Sequence, residues 1–259
     1  MGTSKLDQVK DELQVVEMEV NSRCNRKCSY CPVSTLPAPD APRIMPEEVL
    51  GRTIVELQRI EFARRISYHF YNEPLLRRDL PDVATRVKKS LPNAQQVLFT
   101  NGDLLDDAKY SELTGAGVDF IVVTAHSGKQ HPKRPKQHVQ YPEELELTNR
   151  GGVLTHLPPA TDETLKSPCF APSEMLIITA TGDVVLCYED ASRRTNYGNI
   201  VSDKIEDIWL NPELVRVRKS LAESNRSDAS PICKACTNLA HIRKDISDRS
   251  EPFWAKIDF

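Results

Sequence analysis

Three cysteines close to the N-terminus have a spacing that suits iron–sulfur chemistry. Cys24, Cys28 and Cys31 follow one another as C-x3-C-x2-C. Thiolates are soft ligands that stabilise iron–sulfur clusters, and so short a loop lets three sulfurs converge on one face of a cluster. A half zinc site and a disulfide knot are the alternatives. Both explain the triplet less well, because structural zinc sites favour C-x2-C pairs or C-x2-C combined with H-x3-H.

Four further cysteines lie in the second half of the chain. They are Cys169, Cys187, Cys233 and Cys236, and the last two form a C-x2-C pair. Seven cysteines leave one over in a secreted disulfide scaffold, which favours metal ligation in a reducing cytosol. Taken alone, the set of four would favour a zinc site.

Composition excludes several other classes of protein. The 259 residues carry a formal net charge of −3 without a basic stripe, so nucleic acid is not predicted as a partner. No apolar run reaches the roughly 18–20 residues of a membrane span. The N-terminal segment before the first cysteines is polar and charged, unlike the apolar core of a signal peptide. We therefore predict a cytoplasmic protein without a membrane association.

Stretches rich in β-branched residues alternate with helical patterns in the first half of the chain. Strands are predicted at 14–20, 65–70, 96–100 and 120–125. Helices are predicted from Pro46 onward, at 82–89 and at 105–114. This order predicts parallel β/α units with right-handed crossovers. Residues at the carboxyl ends of the strands then line one site, as they do in closed β/α barrels.

The second half has a different pattern. A hairpin is predicted over 173–187 with its turn at 180–183, followed by a helix from 205 to about 221. The segment 128–142 is cationic and punctuated by prolines, and it is predicted to be a solvated loop. A lid over an anionic or hydroxylated substrate is the alternative for that segment.

Two motifs resemble the radical S-adenosylmethionine (AdoMet) superfamily: the cysteine triplet with Tyr30 before its third cysteine, and Glu73-Pro74 after a strand. The resemblance implies a [4Fe-4S] cluster held by three thiolates, with one iron left to bind AdoMet. It places Tyr30 beside the adenine. Tyr71-Asn72-Glu73-Pro74 stands where the family has Gly-Gly-Glu-Pro, so Asn72, Glu73 and Pro74 are expected at the amino group of AdoMet. The comparison is firmest for Glu73 and Pro74.

The second cysteine set resembles the SPASM and twitch branch of this superfamily, in which a hairpin and a helix enclose an auxiliary cluster. Four cysteines fit the twitch version with a second [4Fe-4S] cluster. The implied fold is α/β, a partial (β/α)6 barrel over 1–155 followed by a small twitch-type domain of β-hairpin plus helix over 156–259. The strand-end residues Thr100, Asn101, Thr124 and His126 are then expected at the cofactor or substrate. The alternative for His126 is a histidine in the core or at the surface whose ring nitrogens are hydrogen-bonded within the protein.

Arg150 and Glu189 are the candidate catalytic residues. Asn149-Arg150-Gly151-Gly152 resembles a stretch that, in aminocyclitol-oxidising enzymes of this branch, brings its arginine to the substrate. Because arginine normally stays protonated, Arg150 could orient a hydroxyl or stabilise a ketyl as well as act as a base. Glu189 falls where those enzymes place a glutamate near the sugar. Its alternative, shared with Asp190, is a hairpin-end carboxylate that binds backbone amides.

The implied reaction is reductive cleavage of AdoMet to a 5′-deoxyadenosyl radical, which abstracts hydrogen from a small hydroxylated substrate. A sugar or aminocyclitol of natural-product biosynthesis is predicted, with flavodoxin or ferredoxin as the reductant. Oxidation of a secondary alcohol to a ketone is favoured over epimerisation, because the two clusters use all seven cysteines and leave no thiol as hydrogen donor. A peptide-modifying maturase would need a leader-binding domain, for which there is no space before Cys24. A non-enzymatic iron–sulfur or zinc protein would leave Glu73-Pro74 unexplained.

Overall fold

The computed structural model describes residues 4–36, 40–126 and 130–243. The strands are β1 (Val15–Met18), β2 (Arg65–Ser67), β3 (Gln95–Thr100), β4 (Phe120–Thr124), β5 (Gln137–Gln140), β6 (Met175–Ile178) and β7 (Val184–Val185). The helices are α1 (Lys5–Glu12), α2 (Glu47–Arg59), α3 (Leu80–Ser90), α4 (Asp107–Gly115), α5 (Asp162–Leu165), α6 (Ala171–Glu174), α7 (Ile205–Trp209), α8 (Pro212–Ala222), α9 (Arg226–Ala229) and α10 (Pro231–Ala235). Short 3-10 turns occupy Pro32–Ser34, Pro74–Leu76 and Pro142–Glu144.

All seven strands form one sheet, in the order β5-β4-β3-β2-β1-β6-β7. The first six strands pair in parallel, and β7 pairs antiparallel with β6. The helices α2, α3 and α4 connect β1 to β2, β2 to β3 and β3 to β4, as the alternating sequence pattern predicts. The predicted mixed α/β fold with a partial barrel and a C-terminal hairpin region is confirmed.

The sixth parallel strand comes from an unexpected part of the chain. The sequence predicted six β/α units in succession, with the hairpin in a separate domain. In the structure β6, the first arm of that hairpin, pairs with β1 through four residue pairs from Val15–Met175 to Met18–Ile178. Its four residues are all buried, and continuous apolar strands of this kind are typical of parallel sheets.

Two local predictions are corrected by the structure. The segment 128–142 contains strand β5, which pairs with β4, so it is not only a solvated loop; its residues 128–129 lie outside the described ones. The single helix predicted over 205–221 is divided into α7 and α8. Asn211 accepts hydrogen bonds from the backbone of Glu213 and Leu214, and Pro212 begins α8, so a new helix starts there.

The two faces of the sheet are buried differently. Val16, Met18, Leu98 and Ile178 pack against the apolar faces of the helices in the main core. The opposite face, which we call the site face, carries Glu17, Ser67, His69, Phe99 and Ile177, since side chains alternate along a strand.

None of the described helices is long and apolar enough to cross a membrane.

We expect Ile178→Ala to lower the free energy of unfolding by about 2–5 kcal/mol, because the fully buried side chain would leave a cavity where β6 meets the core. Denaturant unfolding followed by circular dichroism measures the change. Val55→Ala is the control, since Val55 is 45% exposed on α2 and its truncation should change stability by roughly 0.5 kcal/mol or less. Equal effects of the two substitutions would contradict a sheet core that includes β6.

Candidate active site

The first cysteine loop follows β1 and is fixed to the turn after β3. The Arg26 guanidinium donates to Asp103 through Nε at 2.7 Å and Nη2 at 2.6 Å, in a bidentate ion pair. Asn25 donates to the same carboxylate at 2.9 Å. The backbone N–H of Arg26 points at Cys24 Sγ, 3.4 Å away, as expected of a donor to a thiolate. The loop is therefore held by side chains that surround its sulfurs.

The three thiols of this loop lie close enough to affect each other's ionisation. All are free of disulfides. Burial, together with smaller contributions from the charges of Cys24 and Cys28, raises the pKa of Cys31 to about 11. A bound cation offsets this cost by stabilising the thiolates. The loop therefore fits a metal cluster better than three unligated thiols.

Glu73 lies at the end of β2 and is 2% exposed. Its carboxylate accepts hydrogen bonds from Thr100 Oγ1 at 2.7 Å and from the backbone N–H groups of Asn101 and Leu75 at 2.8 and 3.0 Å. Burial raises its pKa, and the bonds from Asn101 and Thr100 oppose that rise. A carboxylate has about four acceptor sites, so one remains beyond the three that the chain occupies. Glu73 thus joins the ends of β2 and β3 and keeps limited capacity for a ligand.

The other expected AdoMet residues are grouped at the same sheet edge, with different local partners. Asn72 accepts from the Phe70 N–H at 2.8 Å and donates to the Tyr68 carbonyl, so its side chain is engaged with its own strand. Pro74 begins the 3-10 turn after Glu73. The Asn101 amide donates to Asn25 at 2.8 Å.

His126 is buried beside the first cysteine loop. Its Nδ1 lies 3.2 Å from the Tyr30 hydroxyl and 3.9 Å from Cys28 Sγ, and the Tyr30 and His126 rings stack. Burial lowers the pKa of His126, which favours the neutral imidazole. Thr124, in contrast, accepts from Gln140 at 3.0 Å on the neighbouring β5. The structure therefore brings Tyr30 and His126 together at the cluster loop and places Thr124 in a strand-to-strand contact.

The second set of cysteines meets at one cavity. Cys169, Cys187, Cys233 and Cys236 all line it, and none forms a disulfide. Burial raises the pKa of Cys187 well above its ordinary value, and the charges of the other three thiols add to the rise. No three His, Cys, Asp or Glu side chains of the described segments are arranged for a single metal ion. A [4Fe-4S] cluster instead takes one cysteine per iron, and four cysteines line this cavity.

Arg150 and Glu189 contact each other beside this cavity. Arg150 Nη1 lies 3.5 Å from Glu189 Oε1, and Arg150 Nε is buried without a hydrogen-bond partner among the described residues. Although burial acts in the opposite direction, the charges of Tyr71 and Glu189 raise the pKa of Arg150. Arg150 also interacts electrostatically with Cys31 of the first set and Cys236 of the second. The guanidinium is therefore a protonated donor within electrostatic reach of a cysteine from each set.

Glu189 is 5% exposed and well supplied with donors. Its oxygens accept from Thr148 Oγ1 at 3.0 Å, the Gly151 N–H at 3.1 Å and Asn238 Nδ2 at 3.0 Å. Asp190 accepts from the N–H groups of Arg194 and Thr195. The alternative role of hairpin-end carboxylates thus describes the contacts of both residues. For Glu189 it adds to the contact with Arg150 and does not replace it.

The structure brings Tyr71 and Tyr188 together with two polar residues that were not predicted from the sequence, His69 and Glu17, on the site face. Tyr71 donates to the Tyr188 carbonyl, and the Tyr188 hydroxyl lies 3.4 Å from His69 Nε2. His69 Nδ1 lies 3.1 Å from Glu17 Oε2. Although burial favours the neutral acid, the nearby His69 and Arg65 hold the pKa of Glu17 below its ordinary value. The acidic Glu17 within the apolar strand β1 was the one sequence feature that could have indicated this group.

Comparison with known proteins identifies the class of protein. The radical SAM superfamily model matches residues 18–149, and the model of the SPASM iron–sulfur cluster-binding domain matches residues 169–237. The chain belongs to the radical SAM superfamily.

Individual proteins of this superfamily give a more detailed comparison than the family models. Over 238 residues the chain is 36% identical to the S-adenosyl-L-methionine-dependent 2-deoxy-scyllo-inosamine dehydrogenase of Niallia circulans, a match that covers 87% of this chain and 93% of that protein. The crystal structure of BtrN in complex with AdoMet and 2-DOIA superposes with a TM-score of 0.83 at 32% identity, covering 90% of this chain and 96% of that one. Native anSMEcpe with bound AdoMet, at 12% identity and a TM-score of 0.50, shares the fold alone.

The backbone around Arg150 should not tolerate a side chain at Gly151. Arg150, Gly151 and Gly152 all have left-handed φ angles, of 51°, 60° and 86°. A Cβ on Gly151 would lie 2.6 Å from the Glu189 carbonyl oxygen. We expect Gly151→Ala to lower the free energy of unfolding by about 1–2 kcal/mol, measured by denaturant unfolding, and to displace Arg150 from Glu189. Gly115→Ala is the control, because nothing lies within 4 Å of its added Cβ; equal stability of both variants would contradict the expectation.

Proposed function

We propose that the chain is a radical SAM dehydrogenase that oxidises a secondary alcohol of an aminocyclitol to a ketone. Residues 1–155 hold the AdoMet-binding [4Fe-4S] cluster through Cys24, Cys28 and Cys31. Residues 156–259 hold an auxiliary [4Fe-4S] cluster through Cys169, Cys187, Cys233 and Cys236. When bound, the first cluster and AdoMet supply a 5′-deoxyadenosyl radical able to abstract an unactivated hydrogen. In the balanced net reaction, the alcohol and the AdoMet cation give the ketone, methionine, 5′-deoxyadenosine and one proton.

The observation that carries this proposal is the position of Arg150. It lies within electrostatic reach of a cysteine from each set, and its buried Nε lacks a partner among the described residues. A buried donor without a partner is costly, and an oxygen of the substrate would satisfy it. The raised pKa keeps the guanidinium protonated, so Arg150 is assigned to orient the hydroxyl and to stabilise negative charge on its oxygen.

Other buried polar atoms support a polyhydroxylated substrate. Ser67 Oγ is buried on the site face and lacks a hydrogen-bond partner in the described part of the chain, and the buried Glu17 Oε2 lies 3.1 Å from His69 Nδ1 beside it. Groups of this kind suit the hydroxyl or ammonium groups of a small polar ring. The choice of an aminocyclitol rests on the dehydrogenase relative, whose name gives its substrate as 2-deoxy-scyllo-inosamine.

Glu189 is assigned to hold Arg150 and the loop before it. Its three donors fix the carboxylate, and one acceptor site remains for the Arg150 contact or for a substrate hydroxyl. Glu73 is assigned to the AdoMet ammonium, with Tyr30, Asn72, Pro74, Asn101, Thr124 and His126 around the cofactor. A flavodoxin or ferredoxin is the proposed electron donor.

The cysteine assignments predict about eight irons per chain after anaerobic reconstitution. Replacing Cys24, Cys28 and Cys31 together should lower this to about four and abolish formation of 5′-deoxyadenosine with dithionite. Replacing Cys233 and Cys236 is the matched control, and it should leave a cluster that still cleaves AdoMet. Iron analysis and chromatography of the products measure both variants. Zinc in the second site together with full dehydrogenase activity would overturn the auxiliary-cluster assignment.

The reaction type is tested with 2-deoxy-scyllo-inosamine deuterated at its carbinol carbons. We expect one deuterium in 5′-deoxyadenosine and one ketone for each AdoMet consumed, because oxidation removes that hydrogen for good. Mass spectrometry of 5′-deoxyadenosine and of the derivatised ketone measures the ratio. In deuterated solvent, the wild type should fix no deuterium at the reacting carbon. An inverted, unoxidised product carrying solvent deuterium would instead show epimerisation, with Tyr71 or Tyr188 as candidate donors.

A further inference from the structure

Arg226 is a buried cation at the wall of the second cavity. It is 1% exposed and lines the same cavity as Cys169, Cys233 and Cys236. Its three nitrogens each donate to a carbonyl oxygen: Nε to Ser167 at 2.9 Å, Nη2 to Pro168 at 2.9 Å and Nη1 to Asn238 at 2.8 Å. These carbonyls belong to the segments next to the first and the last cysteine of the set. The guanidinium therefore spans the two ends of the cysteine framework.

The charge of Arg226 is not paired with a carboxylate in residues 4–36, 40–126 and 130–243. Its side-chain hydrogen bonds there all go to neutral carbonyls. Glu189 is the carboxylate lining the cavity, and Thr148, Gly151 and Asn238 donate to it while Arg150 faces it. A buried, uncompensated cation is costly unless something negative lies beside it. The four cysteines that line the same cavity would supply negative charge as thiolates.

We propose that Arg226 is a positioning residue that raises the reduction potential of the auxiliary cluster, an inference that rests on the auxiliary-cluster assignment above. Reduction adds one negative charge to a centre that four thiolates already make anionic. A fixed cation in a medium of low dielectric constant favours the more negative state. Arg226 lines the same cavity as Cys169, Cys233 and Cys236, so its charge lies at the wall of the proposed cluster site.

Two hydrogen bonds to sulfur act in the same direction. The Ser230 hydroxyl donates to Cys233 Sγ at 3.1 Å, and the Asn238 N–H donates to Cys236 Sγ at 3.3 Å. Donors to the sulfurs are among the factors that set the potential of an iron–sulfur centre. The carbonyl of Asn238 is also the acceptor for Arg226, so the cation fixes the very residue whose N–H meets Cys236. A higher potential suits net oxidation of a substrate over return of a hydrogen.

A purely structural role for Arg226 makes a different prediction from a role in tuning. If the residue only ties residues 167–168 to residue 238, its loss should reduce cluster assembly and stability without changing the potential of the clusters that do assemble. If its charge matters, the potential should follow the charge at position 226. Arg226→Gln removes the charge but keeps one or two donors, whereas Arg226→Lys keeps the charge with a poorer fit to the three carbonyls.

The test is a redox titration of the reconstituted full chain, with the auxiliary signal followed by electron paramagnetic resonance. A parent lacking Cys24, Cys28 and Cys31 isolates this signal. We expect Arg226→Gln to shift the reduction equilibrium of this cluster at least tenfold toward the oxidised form, which is about 59 mV for one electron. Arg226→Lys should stay near the wild-type potential. Arg77→Gln is the matched control, because Arg77 is also a buried arginine bound to backbone carbonyls but does not line the second cavity.

An unchanged potential in Arg226→Gln with about four auxiliary irons would overturn the proposal. If the Gln variant assembles no cluster, Arg226→His decides the matter, because the charge of an imidazole can be switched with pH. A potential that falls from low to high pH by more than the wild-type potential does then supports the charge, and a pH dependence equal to that of the wild type refutes it. Failure of the proposed function would look different. In that case the wild-type protein would bind no second iron–sulfur cluster. Alternatively, it would bind two clusters and Arg226→Gln would still lower the potential as expected, but the aminocyclitol would not be oxidised.

Discussion

The pairing of β1 with β6 is the interaction on which the rest of the structure depends. β1 leads into the loop of Cys24, Cys28 and Cys31, and β6 with β7 leads to Cys187. The four residue pairs from Val15–Met175 to Met18–Ile178 join these two parts of the chain within one sheet. After β7 the chain returns over the site face, where Arg193 donates to Glu19 at 2.6 Å, just beyond β1. The two sets of cysteines are therefore positioned by one hydrogen-bonded framework.

The buried carboxylates at the site each accept hydrogen bonds from nearby polar groups. Glu73 accepts from Thr100 and Asn101, and Glu189 accepts from Thr148, Gly151 and Asn238. Because a carboxylate without donors would be neutralised or expelled from such surroundings, these bonds fix the ends of β2 and β3 and the loop of Arg150. The same logic applies to the cations. Arg26 is satisfied by Asp103, whereas Arg150 Nε and the charge of Arg226 face the sites where ligands are proposed.

The sequence supplied more of the site than of its surroundings. The cysteine spacings, Glu73 after β2 and the Arg150-Gly151-Gly152 stretch are local patterns, so they could be recognised without knowing what lies next to them. The contacts of Tyr188 with Tyr71 and His69 could not be predicted from local patterns, because Tyr188 is about 120 positions away from both residues along the chain. Asn211-Pro212 is the local signal for the break between α7 and α8, because asparagine favours the N-cap position and proline the first turn of a helix.

By itself, the sequence determined the family, the alternating β/α order and two groups of thiols, because soft-ligand chemistry and strand or helix periodicity are written in neighbouring residues. Only the tertiary structure decided that β6 lies beside β1, that Arg150 contacts Glu189 beside the second cavity, and that Arg226 lines that cavity. Strand order and the position of a buried charge depend on which distant segments exclude water from one another. No periodicity within a short window encodes that choice, since many strands of similar apolar character could pair equally well.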